Sequence, residues 1–420
     1  MIARIDCRFI TVFAAFVAAG CSGAATQPIG VTGSLAIETP AVLQKDKPPV
    51  NWVQFSPGSS TSNFAGIVIG PDKNLWYADK SGKGVARINM SGGNKEFPAG
   101  SCPSQLAVGA DRKFYITDPC LGEILQMTTS GSVRAYFSPS GDQPSSGGGI
   151  TLGPDGNVWY VEYSNVASIS PSGTIAEYVY TDGNSGNAGG IATGADGNLW
   201  VAEAAAEKLD VVNPSTGAMT SDIIHQLCQP SGVAEGTDGN IYTACGQFLV
   251  RFTTAGAELD ISNSSGANGA PDDIAPGPGG IWFASNASGG LIGQLNTSTD
   301  AIATFPSPGA GYDPNGLAAG PDGNVWMTTS SGNIDVYVLN PLDVDPGSLT
   351  LASPGQMGTL TVTESGTVKW TAKSSNAAIA TVAQGMAADL FVVTGVAAGK
   401  CSVTIADKAG NLFKVGVTVK

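Results

Sequence analysis

One short motif recurs seven times along the chain, and it constrains the possible folds more than any other feature of the sequence. Its most complete form reads Gly-Pro-Asp-Gly-Asn, followed by an aliphatic and an aromatic residue. The third position of the motif is held, at spacings of 39, 44, 41, 42, 40 and 44 residues, by Asp72, Asp111, Asp155, Asp196, Asp238, Pro278 and Asp322. A period near 40 without helical periodicity is typical of propeller blades, each a four-stranded unit. The sequence therefore predicts an all-β, seven-bladed β-propeller.

The residues of the motif also predict how each blade is built. The Asp-Gly pair suits a tight hairpin turn, because glycine accepts the positive φ that such a turn requires. Lys73 and Arg112 replace this glycine in the first two copies, so we expect their turns either to differ from the others or to carry some strain. An aromatic residue opens the second strand of every copy, at Trp76, Tyr115, Trp159, Trp200, Tyr242, Trp282 and Trp326. Such rings pack between blades more often than they form a sugar-binding platform, and we favour packing.

The two ends of the repeat region predict how the ring closes. After the third strand of the last copy, at residues 334–339, the chain reaches Pro341 and no fourth strand remains. Residues 51–57, upstream of the first copy, resemble a fourth strand without a blade of its own. We therefore expect this N-terminal segment to complete the last blade, since that would remove an open sheet edge.

The start of the chain is typical of a secretory signal. Two arginines precede an apolar run, residues 9–19, which is too short to span a bilayer as a helix. The run ends in Ala-Ala-Gly before Cys21, which resembles a bacterial lipobox and implies removal of residues 1–20 and lipidation of Cys21. An ordinary signal peptide cut nearby is the alternative. We expect residues 21–48 to form a flexible tether that anchors the protein to the cell envelope, at the outer membrane if the cell is Gram-negative.

The charge balance of the chain limits its possible partners, and its cysteines indicate the compartment in which it folds. Lys and Arg number 20 against 34 Asp and Glu, and the net charge of −14 argues against nucleic acid as a partner. Two cysteine pairs, Cys102 with Cys120 and Cys228 with Cys245, each flank the first hairpin of a repeat. Each pair is expected to form a disulfide outside the cytoplasm, whereas metal binding is disfavoured at this spacing and no metal site is predicted. Cys401 is expected to be a buried, inert thiol.

The C-terminal part of the chain predicts a separate small domain. Short segments there alternate apolar and polar residues between Gly, Ser, Asn and Asp, which is typical of a β-sandwich. The order of these segments resembles the bacterial Ig-like group 2 domain, and Trp370 is expected to lie in its core. The predicted organisation is thus a β-propeller over residues 49–340 and a small Ig-like β-sandwich over residues 341–420.

The repeats also resemble a known family. Their Gly-Pro-Asp-Gly-Asn-aliphatic-Trp signature, followed in two copies by Glu162 and Glu203, resembles the virginiamycin B lyase type of propeller and the related NHL repeats over residues 51–340. The resemblance implies a carbon–oxygen lyase that opens a cyclic depsipeptide by elimination, with a histidine base and a Mg²⁺ ion held by carboxylate. The positions that correspond to this histidine, none of which is histidine, are Ala65, Ser104, Gly148, Gly189, Ser231, Asp272 and Asn315. The single histidine, His225, falls elsewhere and is expected to be a surface residue.

One face of the predicted ring collects polar residues from several repeats. We predict that a ligand-binding face contains residues that precede the first strands or follow the second strands: Asp79, Asp118, Glu162, Glu203, Ser231, Asp272 and Asn315. The four carboxylates that follow second strands would form an acidic arc able to attract a cation or a basic peptide. The favoured alternative is that they cap loop amides or solvate the rim, because no Asp-x-Asp cluster offers the oxygen ligands of a calcium site. Asp272 is a weak candidate for a catalytic base, and only if burial raises its pKa.

Three classes of function remain open. We favour a lipid-anchored, monomeric protein that recognises a surface peptide or glycan through the propeller face, because this function requires no catalytic residue and no cofactor. A virginiamycin B lyase-like enzyme fits the predicted fold but lacks the histidine, and it would need Mg²⁺. A structural envelope protein is the third class, since a propeller can serve as a scaffold alone.

Overall fold

The computed structural model describes most of the chain beyond residue 51. The described residues are 52–57, 62–82, 84–180, 188–223, 228–263, 271, 273–285, 290–306, 312–339, 343–363, 370–406 and 412–420. All of them belong to one compact unit, Pro48–Lys420. The predicted signal peptide, Cys21 and the tether lie outside the described residues, as do His225 and Asp272. Within the described stretches, no helix is long and apolar enough to cross a membrane.

Seven four-stranded antiparallel sheets follow one another in the described part of the chain. Their first strands are β2 (Phe64–Ile69), β6 (Leu106–Val108), β10 (Ile150–Leu152), β14 (Ala188–Thr193), β18 (Pro230–Glu235), β22 (Asp273–Gly277) and β26 (Pro314–Ala319). The second strands are β3 (Leu75–Asp79), β7 (Phe114–Asp118), β11 (Val158–Val161), β15 (Leu199–Glu203), β19 (Ile241–Cys245), β23 (Gly280–Ser285) and β27 (Val325–Thr329). The third strands are β4 (Gly84–Ile88), β8 (Glu123–Met127), β12 (Asn165–Ile169), β16 (Lys208–Val212), β20 (Phe248–Phe252), β24 (Leu291–Leu295) and β28 (Ile334–Tyr337). The fourth strands are β5 (Asn94–Pro98), β9 (Val133–Phe137), β13 (Ile175–Val179), β17 (Met219–Ile223), β21 (Glu258–Asn263), β25 (Ile302–Pro306) and, in the last sheet, β1 (Trp52–Phe55).

The seven sheets form a closed ring with the first strands innermost. Each first strand contacts the first strand of the next sheet, and β26 contacts β2. Strand β1 pairs antiparallel with β28, with Trp52 opposite Tyr337 and Phe55 opposite Ile334. The all-β propeller prediction is confirmed, and so is the prediction that an N-terminal segment completes the last sheet.

The repeated motif is explained by the hairpin between the first and second strands. In the first sheet, the indole nitrogen of Trp76 donates a hydrogen bond to Asp72 Oδ1 at 2.9 Å. The side-chain amide of Asn74 donates to Asp72 Oδ2 at 2.8 Å. A Cβ atom added to Gly70 would lie 2.4 Å from the ring of Trp76, so only glycine lets the indole reach the aspartate. The motif therefore encodes one hydrogen-bonded hairpin rather than a ligand site.

The turn residue after the aspartate has a positive φ whether or not it is glycine. Lys73 and Arg112 have φ angles of 62° and 60°, and Gly156 at the same place in the third sheet has 83°. A side chain in this left-handed region costs about 1–2 kcal/mol. The predicted strain at these two turns is confirmed.

The aromatic residues of the motif form the core between neighbouring sheets. Each of the seven has at most 1% of its surface exposed. Trp200 of the fourth sheet, for example, shares a hydrophobic cluster with Val233 and Ile241 of the fifth. Trp326 of the last sheet shares a cluster with Phe64 of the first, which joins the two ends of the ring. The interpretation of these rings as packing residues is confirmed.

The last strands form two further sheets around a separate core. They are β29 (Asp343–Asp345), β30 (Ser348–Leu351), β31 (Met357–Thr363), β32 (Thr371–Ser374), β33 (Ala380–Gln384), β34 (Leu390–Gly395), β35 (Gly399–Ala406) and β36 (Leu412–Val419). The sheet orders are β29-β31-β34-β33 and β30-β36-β35-β32, and β30 is parallel to β36. Leu360 and Phe391 of one sheet share a buried core with Val403 of the other, and Trp370 packs against it. The Ig-like assignment and the domain boundaries stay predictions.

Candidate functional site

A polar cavity of about 320 Å³ lies where the first strands of the ring begin. All seven sheets contribute to its wall, so it is called the central cavity here. The described lining residues with polar side chains are Lys80, Gln105, Ser146, Ser231, Asp273 and Asn315. The wall also includes Ala65, Gly149 and Gly190. This is the end of the first strands at which the sequence predicted a ligand-binding face.

Glycine residues in the first strands bring neighbouring sheets together around the cavity. A Cβ atom on Gly149 would lie 2.7 Å from the backbone nitrogen of Ile191, and one on Gly190 would lie 2.6 Å from that of Val233. Contacts this short would force the strands apart. The wall of the central cavity is therefore largely main chain, and a few polar side chains determine its chemistry.

Two of the predicted site residues line the central cavity. The side-chain amide of Asn315 donates to the backbone oxygen of Phe64 at 2.8 Å, which ties the last sheet to the first. The hydroxyl of Ser231 lies 3.5 Å from the backbone oxygen of Pro271, an acceptor on the way to the sixth sheet. The third predicted residue near the mouth, Asp272, lies outside the described residues.

Lys80 is a lining residue that the sequence reasoning missed. It follows β3 directly, and its side chain reaches the central cavity. Burial lowers the pKa of Lys80, and no carboxylate among the described residues opposes that effect. Asp273, by contrast, has both carboxylate oxygens engaged: Oδ1 accepts from the backbone N–H of Ile274 and Oδ2 from that of Leu317, each at 3.0 Å.

The described part of the cavity does not fit a Mg²⁺ ion. Such an ion prefers carboxylate oxygens in an octahedral arrangement. Asp273 is the only carboxylate among the described lining residues, and its two oxygens already accept main-chain hydrogen bonds.

The predicted acidic arc is not part of the central cavity, because two of its side chains cap loop amides and the other two are buried between strands. None of the four carboxylates is among the described residues that line the cavity. Asp79 accepts hydrogen bonds from the backbone N–H groups of Ser81 and Gly82, at 3.0 and 2.8 Å. Asp118 accepts from the backbone N–H groups of Cys102 and Cys120, each at 3.2 Å. These two residues therefore cap loop amides, as the alternative interpretation expected.

The other two members of the arc are buried between strands. Glu203 Oε2 lies 3.1 Å from the ammonium of Lys208. Glu162 is fully buried and accepts a hydrogen bond from the hydroxyl of Ser138. Burial raises the pKa of Glu162 to about 7, against the lowering effect of that hydrogen bond, and the negative Asp142 nearby adds to the rise.

Both predicted disulfides are present, and both stabilise the loops at the cavity end of the ring. The Cα atoms of Cys102 and Cys120 are 5.7 Å apart, and those of Cys228 and Cys245 are 5.4 Å apart. Asp118 lies beside the first disulfide, but the sulfurs are bonded to each other and are not available as metal ligands.

Cys401 is free but only half-buried, because it lies near the start of β35, where burial of the strand is incomplete. The expectation of a buried thiol was therefore wrong in part.

Glu162→Gln is expected to remove a pH dependence of stability. The native carboxyl binds its proton more tightly than the unfolded one, so its contribution is complete below the ordinary value of 4.5 and is lost as the pH rises through about 7. At pH 8 the variant should be more stable than the wild type by about 1–3 kcal/mol, while near pH 4.5 the two should be alike. Urea denaturation at both pH values measures this, with exposed Glu96→Gln as the control. Parallel pH profiles of wild type and Glu162→Gln would contradict the raised pKa.

Comparisons with known proteins agree with this architecture. Residues 50–250 match the model of the virginiamycin B lyase family. No curated protein gives a significant match. Among solved structures, a catalytically inactive histidine-to-alanine variant of virginiamycin B lyase from Staphylococcus aureus, with quinupristin, has a TM-score of 0.61 and 24% identity, covering 69% of this chain and 99% of that one. A streptogramin B lyase structure has the same TM-score and coverage at 23% identity.

A third similar structure extends further along the chain. It is the extracellular domain of a proposed one-component system from B. thetaiotaomicron, with a TM-score of 0.59 and 13% identity. The match covers 89% of this chain and 60% of that one. Two disulfides are typical of a protein that folds outside the reducing cytoplasm. The chain thus has a virginiamycin B lyase-like β-propeller fold, with a match to that family over residues 50–250.

Proposed function

We propose that this protein is an extracytoplasmic recognition protein that binds a polar surface ligand, a peptide or a glycan, in the central cavity. The main support is the cavity itself, which lies on the ring axis and presents a small set of polar side chains on a largely main-chain wall. The ligand would be held by hydrogen bonds to Asn315, Ser231 and Gln105, and the disulfides would keep the surrounding loops in place. Lipidation of Cys21 would attach the protein to the envelope, and the mature chain would act as a monomer.

Occlusion of the central cavity tests this proposal. Ser146 is exposed and lines the cavity, so Ser146→Trp should fill the cavity without disturbing the core. Ser130 is exposed in the turn between β8 and β9, at the opposite end of the ring, and Ser130→Trp is the matched control. We expect at least one member of a panel of envelope glycans and peptides to bind the wild type and the control alike, and to bind Ser146→Trp at least tenfold more weakly. Equal binding to all three proteins, or no binding by any of them, would refute the proposal.

A carbon–oxygen lyase is the second candidate, and the family match over residues 50–250 favours it. A base other than histidine would be required at the positions that the resemblance indicates. Incubation with quinupristin, with MgCl₂ or with EDTA, tests this function. Opening the ring by elimination leaves the mass unchanged and changes the chromatographic retention. A magnesium-dependent product of that kind would replace recognition by catalysis as the function.

A further inference from the structure

Lys80 places a partly buried positive charge at the central cavity, with no counter-ion among the described residues. Its side chain lines the cavity together with residues from all seven sheets. None of the ion pairs among the described residues involves Lys80, and desolvation alone accounts for the lowering of its pKa. A partly desolvated ammonium without an anion is unfavourable, and a bound anion would relieve that cost.

No described residue of the lining forms an ion pair with Lys80. Asp273 is the only acidic residue there, and its oxygens accept the hydrogen bonds from Ile274 and Leu317. Gln105, on the wall of the second sheet, and Ser231 add an amide and a hydroxyl that can donate to oxygen. In a chain with a net charge of −14, an anion gains no general attraction from the protein, so a local donor set is required to bind one.

We propose that the central cavity binds an oxyanion, the carboxylate or phosphate group of its ligand, through the ammonium of Lys80, with Gln105 and Ser231 as further donors. This inference rests on the proposed recognition function and specifies the chemical class of the ligand. The cavity would bind acidic glycans, acidic peptides or phosphorylated surface polymers in preference to their neutral counterparts. Charge-assisted hydrogen bonds from an ammonium to an oxyanion are about twice as strong as neutral ones, so Lys80 should dominate the affinity.

Proton linkage gives the site a second signature. A bound anion favours the charged ammonium, so it raises the pKa of Lys80 back towards the ordinary value. Binding at a pH above the pKa of the free site therefore requires uptake of a proton, and the affinity should fall as the pH is raised from 7 to 10. A neutral ligand would not show this dependence.

The experiment uses small probes that differ in charge alone or nearly so. Galacturonate and galactose share a ring and differ at the carboxylate, and inorganic phosphate is a third probe. Binding to the mature chain is measured by calorimetry or by saturation-transfer NMR. The variants are Lys80→Met, Lys80→Arg, which keeps a cationic donor, and Lys400→Met, which removes an exposed lysine from the C-terminal sandwich.

The expected result is that galacturonate, phosphate or both bind the wild type, Lys80→Arg and Lys400→Met, with galactose at least tenfold weaker. Lys80→Met should bind the anions at least tenfold more weakly with an unchanged melting temperature. A preference for galacturonate indicates a carboxylate ligand, and a preference for phosphate indicates a phosphorylated one. If neither anion binds the wild type, or if Lys80→Met binds them equally well, the inference is wrong. Recognition itself survives that outcome if a neutral panel member still binds and Ser146→Trp blocks it.

Discussion

Deletion of residues 51–57 is expected to destabilise the whole ring by about 6 kcal/mol or more, a large part of the total stability of a domain. The deletion removes β1 and leaves β28 as an open edge. It also removes two aromatic side chains from the last sheet. Trp52 packs edge-on against Tyr312 and Tyr337, with ring centroids 5.6 and 5.2 Å apart. Loss of the buried Trp52 ring costs about 3–5 kcal/mol, and the half-buried Phe55 ring together with the lost hydrogen bonds to β28 accounts for the rest of the expected effect.

Point variants separate the loss of packing from the loss of the strand. Phe55 stacks on Trp326 at a centroid distance of 5.7 Å, and its alanine variant should cost less than Trp52→Ala because Phe55 is only half-buried. Val53 lies on the same strand with 41% of its surface exposed, so Val53→Ala should have little effect. Urea denaturation measures each variant by the shift of the midpoint at constant slope. A deletion protein as stable as the wild type would mean that β1 does not hold the ring closed.

The sequence predicted the ring because its determinants are local and repeated. Asp72 and Trp76 lie four residues apart and form the same hydrogen bond as Asp155 and Trp159. Each copy of the motif therefore specifies its hairpin through residues that are close in sequence. The sixth sheet, which lacks the aspartate, supports this explanation as an exception. Where Pro278 replaces the aspartate, the indole of Trp282 donates to the backbone oxygen of Pro278 instead, at 2.9 Å. The geometry of the hairpin is kept although the side chain is lost.

The site was harder to predict because it depends on where loop side chains turn. Asp79 and Lys80 are adjacent at the end of β3, yet Asp79 caps its own loop and Lys80 reaches the central cavity. Strand periodicity ends at that point and no longer assigns a side chain to a face. One available signal was that Lys80 is the only basic residue directly after a second strand of the ring. The carboxylates at related positions favoured a cation site instead, because Ca²⁺ and Mg²⁺ prefer oxygen ligands.

Lys208→Met is expected to destabilise the protein by about 3–5 kcal/mol at pH 7, since breaking a buried ion pair leaves a buried charge behind. The ammonium of Lys208 lies 3.1 Å from Glu203 Oε2 and 3.1 Å from Asp210 Oδ1. The three side chains are at most 9% exposed. The methionine would fill a similar volume but would leave both carboxylates without this cation. Urea denaturation of Lys208→Met measures the loss, and Lys95→Met on exposed β5 is the control.

The triple variant with Glu203→Gln and Asp210→Asn added should recover most of the lost stability, because it removes the buried charges along with their partner. A triple variant no more stable than Lys208→Met would mean that packing around the lysine stem matters more than its charge. Ligand binding by the triple variant is a separate test of Glu203. If the triple variant binds the cavity ligand normally, Glu203 belongs to the framework of the fourth sheet and not to the recognition face.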